Sequence, residues 1–334
     1  MLIILILIIY FTLNNILDKK SLKAILKVIS NIRFYYVIIG LFLISFYFLL
    51  QGIYMKLILE SFKIKIPLKK GIFYSLIEFF FSGITPSSTG GQPVQLYYMK
   101  KDKIPIKNSY ITLLLNTIYF KIILVFLGIF VILLKRKFIF SNDFVYVFFF
   151  KFGFISDLIF IFICFLLLFN KNVIKKILTK LYSILNRFKK IKKENNIDKI
   201  INEYNNEINS LKNNKKVLLL SFIITFIQRI SMFSIAYLIY RALGFNKYNY
   251  VDLLTIQVSV QLAIEILPIP GGSLLSEMMM YDMFSMIFLK NSEVAMLLTR
   301  TFSFYIPILT SGFVILIYDI HIKLINKRKS KKIA

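Results

Sequence analysis

Long apolar runs alternate with short polar segments along most of the chain. Several runs reach or approach the roughly 20 apolar residues that cross a hydrocarbon core as a helix. A soluble domain cannot bury this much apolar surface, so the pattern predicts an all-α polytopic membrane protein with about six to eight spans. The runs lie near residues 2–13, 34–59, 71–82, 109–134, 144–169, 217–242, 250–267, 273–289 and 296–319.

Two polar breaks interrupt this pattern. "GITPSSTGGQPVQLYYMKK" runs from Gly83 to Lys101, and "IEILPIPGGSLLSE" runs from Ile264 to Glu277. Each contains Pro, then Gly-Gly, then the start of a new helix. Pro removes an amide donor, and Gly-Gly permits positive φ, so together they end one helix and restart another. Because non-helical backbone at membrane depth must be buried in protein or reached by water, each break predicts a re-entrant hairpin beside a cavity.

Basic residues set the predicted topology. The segment 171–216 carries twelve Lys and one Arg against four acidic residues, and the tail "HIKLINKRKSKKIA" is also basic, so both are expected in the cytoplasm. Working backwards, the two hairpins enter from opposite faces, as in an inverted-topology repeat. We expect one transmembrane domain, 1–334, with a first half (1–170), a basic amphipathic linker (171–216), a second half (217–320) and a basic tail (321–334).

The linker carries two apolar stripes at helical spacing. Its basic face either gathers anionic headgroups or only fixes the orientation of the chain. The two stripes consist of Ile174, Ile177, Leu178, Leu181, Leu185 and Phe188, and of Ile197, Ile200, Ile201, Tyr204, Ile208 and Leu211.

The N-terminal segment does not fit this scheme. Residues 2–13, extended through Leu17, approach the length of a crossing, and an amphipathic interfacial helix is expected after them. The topology then places the basic residues from Lys19 to Arg33 outside, against the positive-inside tendency. Either the first run does not cross, or this short segment is an exception.

Composition excludes several classes of function. The formal net charge of +27 accompanies 58% hydrophobic residues and a mean hydropathy of +0.73, and the charge lies between apolar runs. That distribution favours contact with anionic phospholipids over nucleic acid. Cys164 is the only cysteine and His321 the only histidine, so we expect no disulfide, metal site, cofactor or catalytic cluster.

The substrate site is expected at the two breaks. The N-terminus of each half-helix following Gly-Gly attracts anions, phosphate especially, and hydroxyl and amide groups stand beside it. The alternative is that small residues only allow close helix packing. Expected substrate-binding residues are Ser88, Thr89, Gly90, Gly91, Gln92, Gln95, Pro270, Gly271, Gly272, Glu277, Arg229 and Arg300.

Ionisable residues within the apolar runs add to this expectation, because each is costly in a membrane unless paired or hydrated. Arg229 and Arg300 are natural partners for Glu265 and Glu277. The full set is Glu78, Lys121, Arg229, Glu265, Glu277 and Arg300.

The chain resembles the flippase-like transmembrane region of lysylphosphatidylglycerol synthases. Three motifs in order carry the resemblance: "TPSSTGGQPVQLYYMKK", "VDLLTIQVSVQLAIEILPIPGGSLLSE" and "AMLLTRTFSFYIPILTSGF". Gln92 and Gln95 stand where relatives have Glu and Arg in the first motif. Leu274 and Leu275 replace small residues of the second motif, whereas Arg300 matches the Arg before the last span.

The resemblance implies movement of phospholipid or aminoacylated phospholipid between leaflets of the cell membrane. In the full synthases a separate soluble domain transfers lysine from lysyl-tRNA to phosphatidylglycerol, and we expect that domain to be absent from these 334 residues. A lysyltransferase, or the membrane subunit of one, remains the alternative, and a small-solute transporter is the third hypothesis. The sequence leaves the oligomeric state open.

Overall fold

The computed structural model describes residues 32–85, 88–140, 144–170, 175–176, 179–180, 197–264 and 273–333, excluding the side chains of 138, 145, 168–169, 197–201, 273–278 and 322–333. Every regular element within these residues is helical. The helices are α1 (Phe34–Ser61), α2 (Leu68–Gly83), α3 (Gly91–Lys101), α4 (Ile106–Phe140), α5 (Phe144–Phe169), α6 (Ile197–Asn213), α7 (Lys215–Ala242), α8 (Tyr250–Ile264), α9 (Ser273–Phe288), α10 (Ser292–Arg300) and α11 (Ile306–Ile333).

Five helical stretches in the described part of the chain are long and apolar enough to cross a membrane. They are Phe34–Ser61, Ile106–Lys137, Tyr146–Leu167, Lys215–Ala242 and Met279–His321, the last of which contains the end of α9 together with α10 and α11. A π-helical turn, Thr301–Tyr305, joins α10 to α11. The predicted all-helical polytopic architecture is confirmed. The run at 2–13 and the interfacial helix predicted after it lie outside the described residues.

Polar contacts place several helix ends on one side of the molecule, here called the linker side because α6 lies there. Lys107, at the start of α4, forms ion pairs with Glu203 and Glu207 of α6, with N···O distances of 3.3 and 3.2 Å. On the same side Lys70 of α2 contacts Asp102, just after α3, at 2.7 Å. The hairpin α2–α3 therefore begins and ends on the linker side.

The opposite side, here called the far side, is held by other contacts. Lys135, near the end of α4, lies 2.7 Å from Asp252 at the start of α8. The ring of Phe288, the last residue of α9, packs against Tyr240 and Phe245 at centroid distances of 5.5 and 5.7 Å. The pair α8–α9 thus begins and ends on the far side, opposite to α2–α3.

Chain direction relates the two halves as an inverted repeat. α1 runs from the far side to the linker side, the hairpin α2–α3 enters from the linker side, and α4 returns to the far side. α7, the pair α8–α9 and the stretch α10–α11 repeat this order with the opposite sense. α1 and α7 pack antiparallel along their length. This arrangement has the form predicted from the two breaks.

The first helix of each hairpin, α2 and α8, ends near the middle of a neighbouring span. A Cβ at Gly83, the last residue of α2, would lie 2.5 Å from the Cδ1 of Ile308, which is central in the stretch α10–α11. A Cβ at Gly153, central in α5, would collide with the carbonyl oxygen of Leu262 near the end of α8. The absent side chain at Gly153 is therefore what lets α8 cross α5 so closely.

The second stripe of the linker packs on protein. Ile208 and Leu211 of α6 are buried and Tyr204 is half-buried, all three within the core formed by α4 and α7. The remaining members of this stripe, and all of the first stripe, lie outside the described side chains. The described face of α6 therefore packs against α4 and α7 and is not exposed to solvent.

The sidedness of the helix ends can be checked by labelling single cysteines. In a Cys164→Ser background, Lys100→Cys and Asn209→Cys should react with an impermeant maleimide from one side of a sealed vesicle, and Lys247→Cys only from the other. All three positions are exposed, and Cys164 is buried. The Cys164→Ser protein without an added cysteine is the control. Labelling of Lys100→Cys and Asn209→Cys from opposite sides would contradict the fold.

Candidate functional site at mid-membrane

The tip of the first hairpin is a short polar loop held by Thr85. The Thr85 hydroxyl donates to the carbonyl of Phe81 at 2.6 Å and accepts from the backbone N–H of Gly90 at 2.8 Å. Ser88 adopts a positive φ of 54°, and both Ser88 and Thr89 are exposed. Because this tip lies at the depth of Ile308, polar groups exposed there require water or a lipid headgroup.

Gly91 closes the hairpin. A Cβ on Gly91 would lie 2.6 Å from the carbonyl oxygen of Glu78 and would collide with the Ser82 hydroxyl, so α3 can start beside α2 only because this residue is Gly. The close approach brings the amides at the start of α3 next to the middle of α2. Gly90 and Gly91 were both predicted at this bend.

The two predicted glutamines of α3 bond to neighbouring helices. Gln92 donates to the Thr117 hydroxyl of α4 at 2.5 Å, and Gln95 donates to the carbonyl of Tyr74 in α2 at 3.2 Å. Gln95 is fully buried, and its Oε1 has no hydrogen bond among the described residues. The structure therefore places Gln95 inside the hairpin and Gln92 on the surface that faces α4.

A hydrogen-bonded chain of side chains crosses the interface between the two repeats. Gln228 of α7 donates to the Oε1 of Gln51 in α1 at 2.8 Å, and the Nε2 of Gln51 donates to Glu78 of α2 at 3.3 Å. Gln51 and Gln228 are buried. The chain joins the first hairpin to the central pair of antiparallel helices, and each of its members lies well inside an apolar helix.

Arg229 stands beside this chain, at the midpoint of α7. Its guanidinium lies 4.0 Å from the ring centroid of Phe120 and donates to the Tyr47 hydroxyl at 3.2 Å. It also attracts the Glu78 carboxylate electrostatically. A guanidinium held over an aromatic ring presents a fixed fork of donors, which suits it to bind a carboxylate or phosphate.

Arg300 is nine-tenths buried near the far-side end of the last span. Its guanidinium lies 4.6 Å from the ring centroid of Phe304, which in turn lies near Gly83 at the tip of the first hairpin. The described ring contact of Arg300 thus comes from the π-helical turn, and the described contacts of Arg229 come from α1 and α4. Their predicted partners Glu265 and Glu277 lie outside the described side chains.

A buried ion pair lies between α4 and α5. The Lys121 ammonium is 2.6 Å from the Oδ1 of Asp157, with side-chain exposures of 12% and 3%. The other carboxylate oxygen of Asp157 is buried and makes no hydrogen bond within the described chain. Lys121 also lies 5.5 Å from the ring centroid of Phe160. An ion pair this deep is unusual, because each unpaired charge at the centre of a bilayer costs about 2.5–3.5 kcal/mol or more.

The second hairpin is described only on its flanks. Glu265, Pro270, Gly271 and Gly272 lie outside the described residues, and Glu277 has a described backbone but no described side chain. Their predicted roles stay predictions.

A polar cluster fixes the base of the first hairpin to α11. Besides Asp102, Lys70 donates to the Tyr318 hydroxyl at 2.9 Å, and the Tyr74 hydroxyl donates to Asp102 at 2.6 Å. Partial burial lowers the pKa of Lys70, but its bonds to Asp102 and Tyr318 outweigh burial and raise the pKa overall. Lys70 therefore stays charged through neutral pH, and the base of the hairpin stays anchored while its tip remains a loop.

The amino-acid sequence matches one family over most of its length. The family model for the lysylphosphatidylglycerol synthase TM region matches residues 1–311, and the chain belongs to this family of lipid-related membrane proteins. No curated protein matches the chain. The resemblance found in the three motifs is thereby confirmed.

Sequence reasoning missed several members of the polar set. Gln51 and Asp157 are each the one strongly polar residue of an apolar stretch, and Gln228 directly precedes Arg229, and those positions were the available signal. Tyr47 gave no such signal, since tyrosines are common in this chain.

The Lys121–Asp157 pair can be tested through stability. Asp157→Leu leaves Lys121 without its carboxylate partner, so we expect a loss of about 3–5 kcal/mol in the free energy of unfolding, the range for breaking a buried pair. The double variant Lys121→Met/Asp157→Leu should recover part of this loss. Thermal unfolding in detergent, followed by size-exclusion chromatography, measures both. A double variant less stable than the single one would argue against a simple pair.

Proposed function

We propose that the protein translocates a phospholipid, or an aminoacylated phospholipid, between the leaflets of the cell membrane. The observation that carries this proposal is the polar set at mid-membrane, where Glu78, Gln51, Gln228 and Arg229 join the first hairpin to the interface between the repeats. Polar groups at this depth mark substrate pathways in membrane proteins, and inverted repeats with broken hairpins carry their substrate between them.

Arg229 is the proposed receptor for the headgroup phosphate. Its guanidinium is already oriented by Phe120 and Tyr47, so little side-chain freedom is lost when a phosphate binds. Glu78 lies close enough to Arg229 to attract it electrostatically. A phosphate arriving at the hairpin competes with Glu78 for Arg229, and the exposed Ser88 and Thr89 and the amides at the start of α3 supply further donors.

The energetic role of this set is to replace water around the headgroup. A phosphate crossing the hydrocarbon core alone would lose its hydration, whereas the proposed path offers charge and donors at the depth where that loss is greatest. The two hairpins reach this depth from opposite faces, so each leaflet has access to it through one repeat. Alternating access around a fixed site is the motion such repeats provide.

Arg229 variants test the proposal in liposomes with leaflet-specific labelling of phosphatidylglycerol and lysylphosphatidylglycerol. We expect Arg229→Gln to slow lipid transfer at least tenfold, because the charge is lost, and Arg229→Lys to retain part of the rate, because the charge stays but the planar fork does not. Arg241→Gln is the matched control, since Arg241 is exposed at the far-side end of the same helix.

Two outcomes would reject the proposed function. One is no acceleration of any anionic or aminoacylated lipid by the unsubstituted protein. The other is formation of lysyl lipid when the purified protein is incubated with lysyl-tRNA and phosphatidylglycerol, which would favour a synthase. In the first of these cases, uptake of a solute by the same vesicles would favour a transporter.

A further inference from the structure

An apolar groove lies between the first hairpin and the last span. It has a volume of about 370 Å³ and is lined by Phe80 of α2 and by one face of α11 from Ile308 to Leu316. This groove, here called the α2–α11 groove, runs from the depth of the hairpin tip towards the linker side. Its size is near the lower end for ligand pockets, and its shape follows the helix axis.

Close helix packing forms the floor of the groove. A Cβ at Gly312 would lie 2.6 Å from the ring of Phe80, so the absence of a side chain there is what allows α2 and α11 to meet. On either side of this contact Leu309 and Phe313 of α11 are exposed, at 45% and 66%. The groove is therefore open laterally, towards the bilayer.

The linker-side end of the groove leads to a basic collar, defined as Lys69, Lys100 and Lys101. All three side chains are exposed. The Lys101 ammonium lies 5.7 Å from the ring centroid of Tyr98, and the Tyr98 hydroxyl donates to Asp319 of α11 at 2.8 Å. Asp319 follows Leu316 by one helical turn, so the collar and the groove meet at the same end of α11.

The collar keeps a net positive charge, because Asp102 is paired with Lys70 and the one remaining carboxylate described nearby, Asp319, offsets only one of the three collar lysines. Asp102 accepts from Lys70 and Tyr74, and Asp319 accepts from Tyr98. An apolar groove that ends near exposed lysines suits a ligand with a hydrocarbon chain and an anionic head. Basic residues near a membrane surface attract anionic headgroups.

We propose that the α2–α11 groove binds one acyl chain of an anionic phospholipid from the linker-side leaflet, with its headgroup at the basic collar. Ile308, which lines the groove, also lies against Gly83 at the end of α2, so the groove reaches the depth of the polar tip. That this lipid is also the one translocated rests on the proposed function. The binding of a lipid in the groove does not rest on it.

Photo-crosslinking tests the site with the full-length protein in nanodiscs. The probes are phosphatidylglycerol and phosphatidylcholine carrying the same diazirine acyl chain, and mass spectrometry locates the labelled peptides. We expect phosphatidylglycerol to label residues 309–316 at least fivefold more than the lipid-exposed face of α5 around Phe162, with no such excess for phosphatidylcholine. Equal labelling of the two faces by phosphatidylglycerol would reduce the groove to ordinary contact with surrounding lipid and overturn the proposal.

Two variants separate the chain from the headgroup. Thr310→Trp fills the groove and should abolish the excess labelling. Lys100→Gln/Lys101→Gln removes only exposed charge, so it should fold normally and reduce the excess at least threefold, while Lys247→Gln on the far side should not change it. If neither Thr310→Trp nor Lys100→Gln/Lys101→Gln reduces the excess labelling, the assignment of the groove is wrong.

The same variants distinguish failure of this site from failure of the proposed function. Selective labelling, combined with slower lipid transfer by Thr310→Trp in liposomes, supports both. Selective labelling in a protein that transfers no lipid supports the groove and rejects translocation. Transfer that depends on Arg229 without selective labelling rejects the groove alone.

Discussion

The absence of water in the hydrocarbon core governs this architecture. Every backbone N–H and C=O at that depth needs a partner, so a helix can stop inside the membrane only where protein or a hydrated cavity receives its free ends. The first hairpin meets this requirement through Thr85, whose hydroxyl serves one carbonyl and one amide of the tip. The crowded glycine contacts around Gly83, Gly91 and Gly153 follow from the same requirement, because neighbouring helices must enclose the broken ones closely.

Charge at mid-membrane is the second organising feature. Lys121 of α4 and Asp157 of α5 form a buried ion pair, and Arg229 of the second repeat attracts Glu78 of the first electrostatically. Such pairs are weak contributors to stability, since hydrophobic replacements of similar size are often neutral. Their presence in a chain that otherwise fills its helices with Ile, Leu and Phe fits a functional requirement better than a structural one.

Much of the fold could be predicted because hydrophobic pattern and helix breakers act locally. The runs, the two hairpins and their opposite directions follow from apolar length, Pro, Gly-Gly and the placement of Lys. The candidate site was harder to predict from the sequence, because it depends on which faces of the helices pack against each other. The contacts of Arg229 with Tyr47 and Phe120, and its attraction to Glu78, come from helices far away along the chain, and no pattern in the sequence pointed to them. Helix rotation and packing angle decide such pairs, and neither is encoded in periodicity alone.

The hydrogen bond between Gln51 and Gln228 has a particular place in this symmetry. α1 and α7 are the equivalent helices of the two repeats and pack antiparallel against each other, so the pseudo-two-fold axis passes between them. The bond therefore links the two repeats directly, near the middle of their central helices. Any rearrangement of one repeat against the other would have to preserve or break this bond between two buried amides.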